Sequence, residues 1–124
     1  MLKNCVLLLV LSSFIFACKK QKSHDAFSFE KGNFITYLEN KKDSSVFYRV
    51  DNLQIEAYRN KVDTFDIKWK NKFEFHLKKQ RPITKLDSTT FVVKITKIKD
   101  NSYEFQAHYK NSNFKQKGST YKLN

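Results

Sequence analysis

The sequence predicts an all-β domain, an antiparallel meander of about eight strands that forms a small up-and-down barrel or a barrel-like rolled sheet, preceded by a signal peptide. From Asn33 onward apolar and polar residues alternate with a period of two, as in strands with one buried and one solvent-facing side. Turns rich in Asn and Asp separate these segments. A flat sheet with one apolar face would aggregate, whereas a rolled or closed sheet buries that face and removes its edges.

The strand segments follow one another without a helical pattern between them. The alternation is clearest where Phe65, Ile67 and Trp69 are separated by Asp66 and Lys68. The predicted strands are 33–39, 46–50, 53–57, 65–69, 73–77, 91–98, 103–109 and 114–123, and residues 78–87 form the longest irregular connection.

The segment 53–57 is predicted to place its apolar and polar residues on opposite faces of the sheet. Leu53, Ile55 and Ala57 form the apolar side. Gln54 and Glu56 are then expected to face solvent, because they alternate with apolar residues.

The first eighteen residues resemble a bacterial lipoprotein signal. One positive charge, Lys3, precedes an apolar run from Cys5 to Phe16, and Ala17 and Cys18 end it. A run of about a dozen residues spans roughly 18 Å as a helix, which is too short for a bilayer core of about 30 Å. The sequence therefore predicts cleavage between Ala17 and Cys18, although Phe16 stands where such signals usually have a small residue.

Cys18 is the predicted site of lipid attachment, because its thiol can be alkylated to a stable thioether that carries a diacylglyceryl group. Two or three acyl chains (palmitate-type) hold a protein far more firmly than one. The expected organisation is a signal peptide at 1–17, a lipidated cysteine with a polar tether at 18–26 and a β domain at 27–124. We expect a cell-envelope location, at the periplasmic face of the outer membrane, and a membrane partner reached through the acyl chains on Cys18.

The charge of the chain limits the possible partners. With 24 Lys and Arg against 12 Asp and Glu, the formal charge is +12. Export separates such a chain from nucleic acid, so the expected counter-surface is a protein or an anionic lipid or glycan of the envelope. A solvated lysine coat without any partner is the alternative.

Residues with catalytic or metal-binding potential are few. Neither a nucleophile motif nor a glycine-rich phosphate loop is present, and no enzymatic activity or cofactor is expected. His76 and His108 fall on separate strands, so no metal site is predicted. The candidate polar cluster consists of Arg49, Asp51, Gln54 and Glu56, in which Arg49 and Glu56 flank a tight turn and could form a cross-strand pair.

The aromatic residues leave two possibilities for the interior. A closed eight-stranded barrel is either filled by its own side chains or holds one small ligand, as lipocalins do. Large aromatics on the predicted buried face favour filling, and a carrier of a small apolar ligand is the alternative. The predicted interior aromatics are Trp69, Phe73, Phe75, Phe91, Tyr103 and Phe105.

Several stretches together resemble a group of small lipoproteins from Gram-negative bacteria whose function is not established. They are Phe29-x-x-Gly32-x-Phe34, Arg49-x-Asp51-x-x-Gln54-x-Glu56, Ile67-x-Trp69, the run 93–98, Asn101-Ser102-Tyr103-x-Phe105 and Ser112-Asn113-Phe114-x-Gln116-x-Gly118. Members of the group often carry two cysteines that this sequence lacks. Such chains are sometimes labelled as type II topoisomerase, but no nucleotide site supports that label here. The resemblance implies an envelope location and a β fold, without an activity.

Overall fold

The computed structural model describes residues 29–124, which form eight strands that close into a barrel. Each strand pairs antiparallel with the next, and β1 pairs with β8. The strands are β1 Gly32–Leu38, β2 Ser44–Val50, β3 Leu53–Tyr58, β4 Lys61–Asn71, β5 Glu74–Lys79, β6 Phe91–Ile98, β7 Ser102–Tyr109 and β8 Gln116–Lys122. The predicted all-β barrel is confirmed. The predicted signal peptide, Ala17, Cys18 and the tether lie outside the described residues.

Within residues 29–124, no helix of sufficient length and apolar character to cross a membrane is found.

Short turns with left-handed backbone join the first four strands. Arg59 and Asn60, between β3 and β4, both have positive φ (45° and 64°), as a type I′ hairpin turn requires. Between β1 and β2, the Asn40 side-chain oxygen accepts hydrogen bonds from the backbone N–H groups of Lys42 and Asp43, at 3.0 and 3.3 Å. Asn and Asp side chains stabilise turns in this way, which explains why the Asn- and Asp-rich segments mark the strand ends.

Closure of the barrel depends on close contact between β1 and β8. The hydroxyls of Thr36 and Thr120 are hydrogen-bonded across this pair at 2.7 Å. A Cβ atom at Gly118 would lie 2.6 Å from the carbonyl oxygen of Tyr37 and 2.7 Å from the Phe105 ring. Because one of these neighbours is backbone, only glycine fits at this position.

Aromatic side chains fill the end of the barrel at which β1 begins. Phe29, just before β1, packs edge-on against Tyr103 with ring centroids 5.0 Å apart. Phe34 stacks on Phe47 at 5.1 Å, and Trp69 lies 4.8 Å from Phe75. Phe73 was predicted to join this core, but its side chain is 54% exposed because it lies in the turn before β5.

Strand β3 has the opposite orientation to the one predicted. Gln54 is 4% exposed and Glu56 lines the barrel interior, whereas Leu53 and Ile55 are half-buried on the outer face. The register explains this arrangement, because Gln54 pairs directly with Arg49 and Phe65, whose side chains also point inward. The prediction that Gln54 and Glu56 face solvent is therefore wrong.

Candidate functional site

The barrel contains a cavity of about 300 Å³ between its aromatic end and the hairpin turns at the opposite end. This volume lies at the lower end of the range of small-molecule pockets, roughly 300–1,000 Å³. Apolar side chains from five strands form much of its wall: Leu38, Phe47, Phe75, Leu77, Phe91, Val93 and Phe105. Polar residues form the rest: Thr36, Asp43, Ser44, Ser45, Arg49, Gln54, Glu56, Tyr58, Tyr103, Gln116 and Thr120.

Arg49 lies at the inner end of this cavity and is held by three hydrogen bonds. Its Nε donates to the Gln54 side-chain oxygen at 3.0 Å, and Nη1 donates to the Phe29 carbonyl oxygen at 2.9 Å. Its Nη2 donates to the Tyr103 hydroxyl at 3.0 Å. These bonds use three of the five guanidinium N–H groups and fix the orientation of the guanidinium plane. The residue is only 3% exposed.

Aromatic rings surround the same guanidinium group. Its central carbon lies 4.5 Å from the centre of the Phe75 ring, 4.8 Å from Phe47 and 5.0 Å from Phe34. The faces of such rings carry negative electrostatic potential and attract a cation, most strongly where water is excluded. Within the described barrel, the direct contacts of the guanidinium are neutral hydrogen-bond acceptors and ring faces, and no carboxylate lies at ion-pair distance.

Glu56 lies one inward position closer to the mouth than Gln54, on the same strand. Burial raises the pKa of its carboxyl above the usual value, while hydrogen bonds from Ser45 and Gln54 oppose the increase. The nearby Asp63 carboxylate raises the pKa further, and Arg49 lowers it. The cavity therefore contains a carboxyl that gains a proton more readily than one in water, close to a guanidinium that stays charged.

A charged network lies at the end of the barrel that carries the β1–β2 and β3–β4 turns. The Lys79 ammonium lies 3.4 Å from Asp63 and 3.6 Å from Asp87, so it joins β4 and β5 to the irregular connection between β5 and β6. Burial, together with the Asp87 carboxylate, raises the pKa of the neighbouring Tyr109 hydroxyl. Tyr109 packs on Phe91, with ring centroids 5.0 Å apart. This end of the barrel thus combines two aromatic rings with charges of both signs.

The structure brings together three of the four residues in the predicted polar cluster. Arg49, Gln54 and Glu56 all line the cavity, while Asp51 is exposed in the β2–β3 turn with φ of 47°. The direct cross-strand partner of Arg49 is Gln54, and Glu56 is paired with Phe47 instead. Arg49, Gln54 and Glu56 lie inside the barrel, which the sequence did not indicate.

His76 and His108, the histidines considered in the sequence analysis, lie outside the cavity. His76 is 3.0 Å from Glu74 on the outer face, and His108 Nδ1 lies 2.9 Å from the Tyr109 carbonyl oxygen. Among residues 29–124, no group of three or more His, Cys, Asp or Glu side chains is placed to hold a metal ion.

Sequence reasoning missed the remaining polar groups of the lumen. Thr36, Ser45, Gln116 and Thr120 lie on inward positions of β1, β2 and β8. The available sequence signal for a cavity was that these side chains are small or uncharged. A barrel interior lined only by large apolar residues would be filled by their side chains.

Comparison with known proteins gives no match at the level of a family model, a curated protein or a solved structure, so the resemblance to small Gram-negative lipoproteins stays a prediction.

Proposed function

We propose that this protein is a lipid-anchored, non-enzymatic envelope protein that carries a small molecule inside its barrel. The cavity is the observation that carries the proposal, since it combines apolar walls with a few convergent polar groups, as ligand pockets do. The proposed ligand has a largely apolar body that lies against Leu77, Phe91 and Val93. Its polar end would reach Gln54, Glu56 and the guanidinium of Arg49.

The proposed anchor is a set of acyl chains on Cys18, after removal of residues 1–17. The support for it is the apolar run that ends at Ala17-Cys18 and the polar segment that follows. The proposed location is the periplasmic face of the outer membrane.

Native mass spectrometry of the protein extracted from its host's membranes tests both parts. We expect an acylated chain that begins at Cys18 and carries a small-molecule adduct. An unacylated chain that retains residues 1–17 would exclude the anchor, and an acylated chain without an adduct after gentle extraction would count against the carrier.

A matched pair of substitutions assigns the adduct to the lumen. Val93→Phe places a ring inside the cavity, and Val46→Phe makes the same exchange on the outer face of β2, where Val46 is 45% exposed. We expect Val93→Phe to weaken binding at least about tenfold, equivalent to about 1.4 kcal/mol, and Val46→Phe to leave it unchanged. Equal binding by both variants would place the ligand outside the barrel.

A second candidate function uses the lysine wall, defined as the outward-facing Lys68, Lys70, Lys78, Lys94 and Lys97 of β4, β5 and β6. All five are exposed on neighbouring strands. Such a surface suits an anionic envelope component, and its binding would weaken steeply with salt because exposed charges are screened. Binding in the lumen would change little over the same salt range, which separates the two functions.

A further inference from the structure

The outward side chains of β1, β2 and β3 differ in chemistry from those of the lysine wall on β4, β5 and β6. The outer face of β1, β2 and β3, here called the uncharged wall, has no Lys, Arg, Asp or Glu at its outward positions. It consists of Asn33, Ile35, Tyr37, Ser44, Val46, Tyr48, Val50, Leu53, Ile55 and Ala57. In a chain with 29% charged residues, three adjacent strands whose outer faces carry no charge need an explanation beyond chance exposure.

Large side chains on this wall are open to solvent. Tyr48 is 43% exposed, Val46 and Val50 are similar, and Tyr37 packs against Tyr121 of β8 with ring centroids 6.0 Å apart. The wall also has cationic neighbours at one end. Lys41 and Lys42 lie in the β1–β2 turn together with Glu39 and Asp43, and Arg59 in the β3–β4 turn pairs with Asp43 at 3.4 Å. Lys61 begins β4, so four exposed cations outnumber two carboxylates at this end.

We propose that the uncharged wall rests on the surface of the membrane to which the chain is anchored, so that the barrel lies on its side. This inference depends on the proposed Cys18 anchor. Tyrosine is favoured at the boundary between headgroups and acyl chains, where its ring is in apolar surroundings and its hydroxyl is in water. The excess of cations at this end of the wall would lie beside the anionic headgroups at that boundary.

Charge decides whether the uncharged wall or the lysine wall approaches the acyl region. Moving an ammonium group away from water is unfavourable, so the lysine wall cannot enter the headgroup–acyl boundary as the uncharged wall can. The tether permits this orientation. Ten residues separate Cys18 from Phe29, so the start of β1 stays within roughly 35–40 Å of the anchor. The wall nearest that point includes β1 itself.

A second copy of the chain is a poorer occupant of this wall. Three strands about 4.8 Å apart and about 20 Å long give a footprint of roughly 300 Å². A stable protein interface needs about 800 Å² on each partner. Two convex barrel walls would meet over even less, whereas a bilayer surface deforms around a convex protein.

Quenching by brominated lipid tests the orientation in the acylated full chain. With Trp69, the only tryptophan, changed to Phe, a single probe is introduced by Tyr48→Trp on β2 or by Thr96→Trp on β6. These strands lie four positions apart in an eight-stranded barrel and are therefore on opposite sides. The proteins are reconstituted into vesicles of phosphatidylethanolamine and phosphatidylglycerol that carry bromine near the headgroup end of the acyl chains.

We expect the vesicle-associated Tyr48→Trp protein to be quenched at least twofold more than the Thr96→Trp protein, with emission shifted to shorter wavelength. Stronger quenching of Thr96→Trp, or equal quenching of both, would overturn the orientation and leave the anchor intact. Emission of Tyr48→Trp that changes with protein concentration, without quenching, would assign the wall to a second copy and also overturn it. If no protein floats with the vesicles, both the anchor and the membrane-facing wall are wrong.

Discussion

Substitution of Arg49 tests the view that a buried guanidinium organises the inner end of the lumen. Arg49→Met removes the charge and keeps an unbranched side chain of similar length. It also leaves the Gln54 side-chain oxygen, the Phe29 carbonyl oxygen and the Tyr103 hydroxyl without their donor. Arg49→Lys keeps the charge but replaces a planar fork with a single ammonium that cannot reach all three acceptors.

The expected cost follows from opposing terms. Hydrogen bonds that involve a charged group contribute about 1.5–3 kcal/mol each, and the ring faces at 4.5–5.0 Å add about 0.5–2 kcal/mol. Removing a buried charge recovers several kcal/mol of desolvation energy. We therefore expect Arg49→Met to lower the free energy of unfolding by about 2–4 kcal/mol. Arg49→Lys should cost more, about 3–5 kcal/mol, because a buried charge then remains without its partners.

Urea unfolding followed by Trp69 fluorescence measures these differences, since Trp69 is the only tryptophan and its ring lies 5.7 Å from the Arg49 guanidinium. Arg59→Lys is the matched control. Arg59 is exposed and pairs with Asp43 at 3.4 Å, so its substitution should change stability by less than about 0.5 kcal/mol. If Arg49→Lys stays within 1 kcal/mol of the parent protein, the three-acceptor arrangement is not what stabilises this end of the barrel.

Two further predictions concern the lumen and the closure of the barrel. Because burial raises the pKa of Glu56, the folded chain holds its proton more tightly than the unfolded chain, so stability falls as pH rises from the unfolded pKa through the folded one. Glu56→Gln should remove that fall and stabilise the protein above this pH window by about 1.4 kcal/mol for each unit of pKa difference. The free energy of unfolding measured from pH 4 to 8 checks this. If it falls with pH in the variant as steeply as in the parent protein, the prediction is contradicted. Gly118→Ala should destabilise by about 1–3 kcal/mol, because the added Cβ meets the Tyr37 carbonyl oxygen at 2.6 Å. Ser119→Ala, one residue along on the outer face, should change the thermal midpoint little, and equal midpoints for both variants would refute the packing argument.

The eight strands were predictable because their signals are local. A period of two and Asn- or Asp-rich turns report backbone geometry directly, and the β6 and β7 bounds differ from the predicted segments by at most one residue. Alternation identifies two faces of a strand without saying which one is inside. For β3, the rule that apolar residues face inward placed Leu53 and Ile55 inside. The small lumen already contains Phe34, Phe47 and Phe75, and it provides polar neighbours for the side chains of Gln54 and Glu56.

The polar cluster shows a different limit of sequence reasoning. The sequence suggested a pair of Arg49 with Glu56 across a tight turn, whereas the direct cross-strand partners are Arg49 and Gln54. Their burial depends on Phe29 and Tyr103, which lie 20 and 54 residues away from Arg49 in sequence. No local pattern connects residues at such separations, so the environment of the guanidinium emerged only from the closed barrel.

The pairing of β1 with β8 also sets the order in which the protein can fold. Phe34 and Lys122 are partners in this ladder, although they are 88 positions apart, and the register continues to Leu38 and Gly118. A chain synthesised from its N-terminal end presents β1 first, so the edge of β1 stays open until β8 has emerged. The cavity, the guanidinium site and the protected edges therefore come into existence together at the last step. Substitutions that slow this step would expose an unpaired apolar strand to neighbouring chains, and their first visible effect would be aggregation during biogenesis.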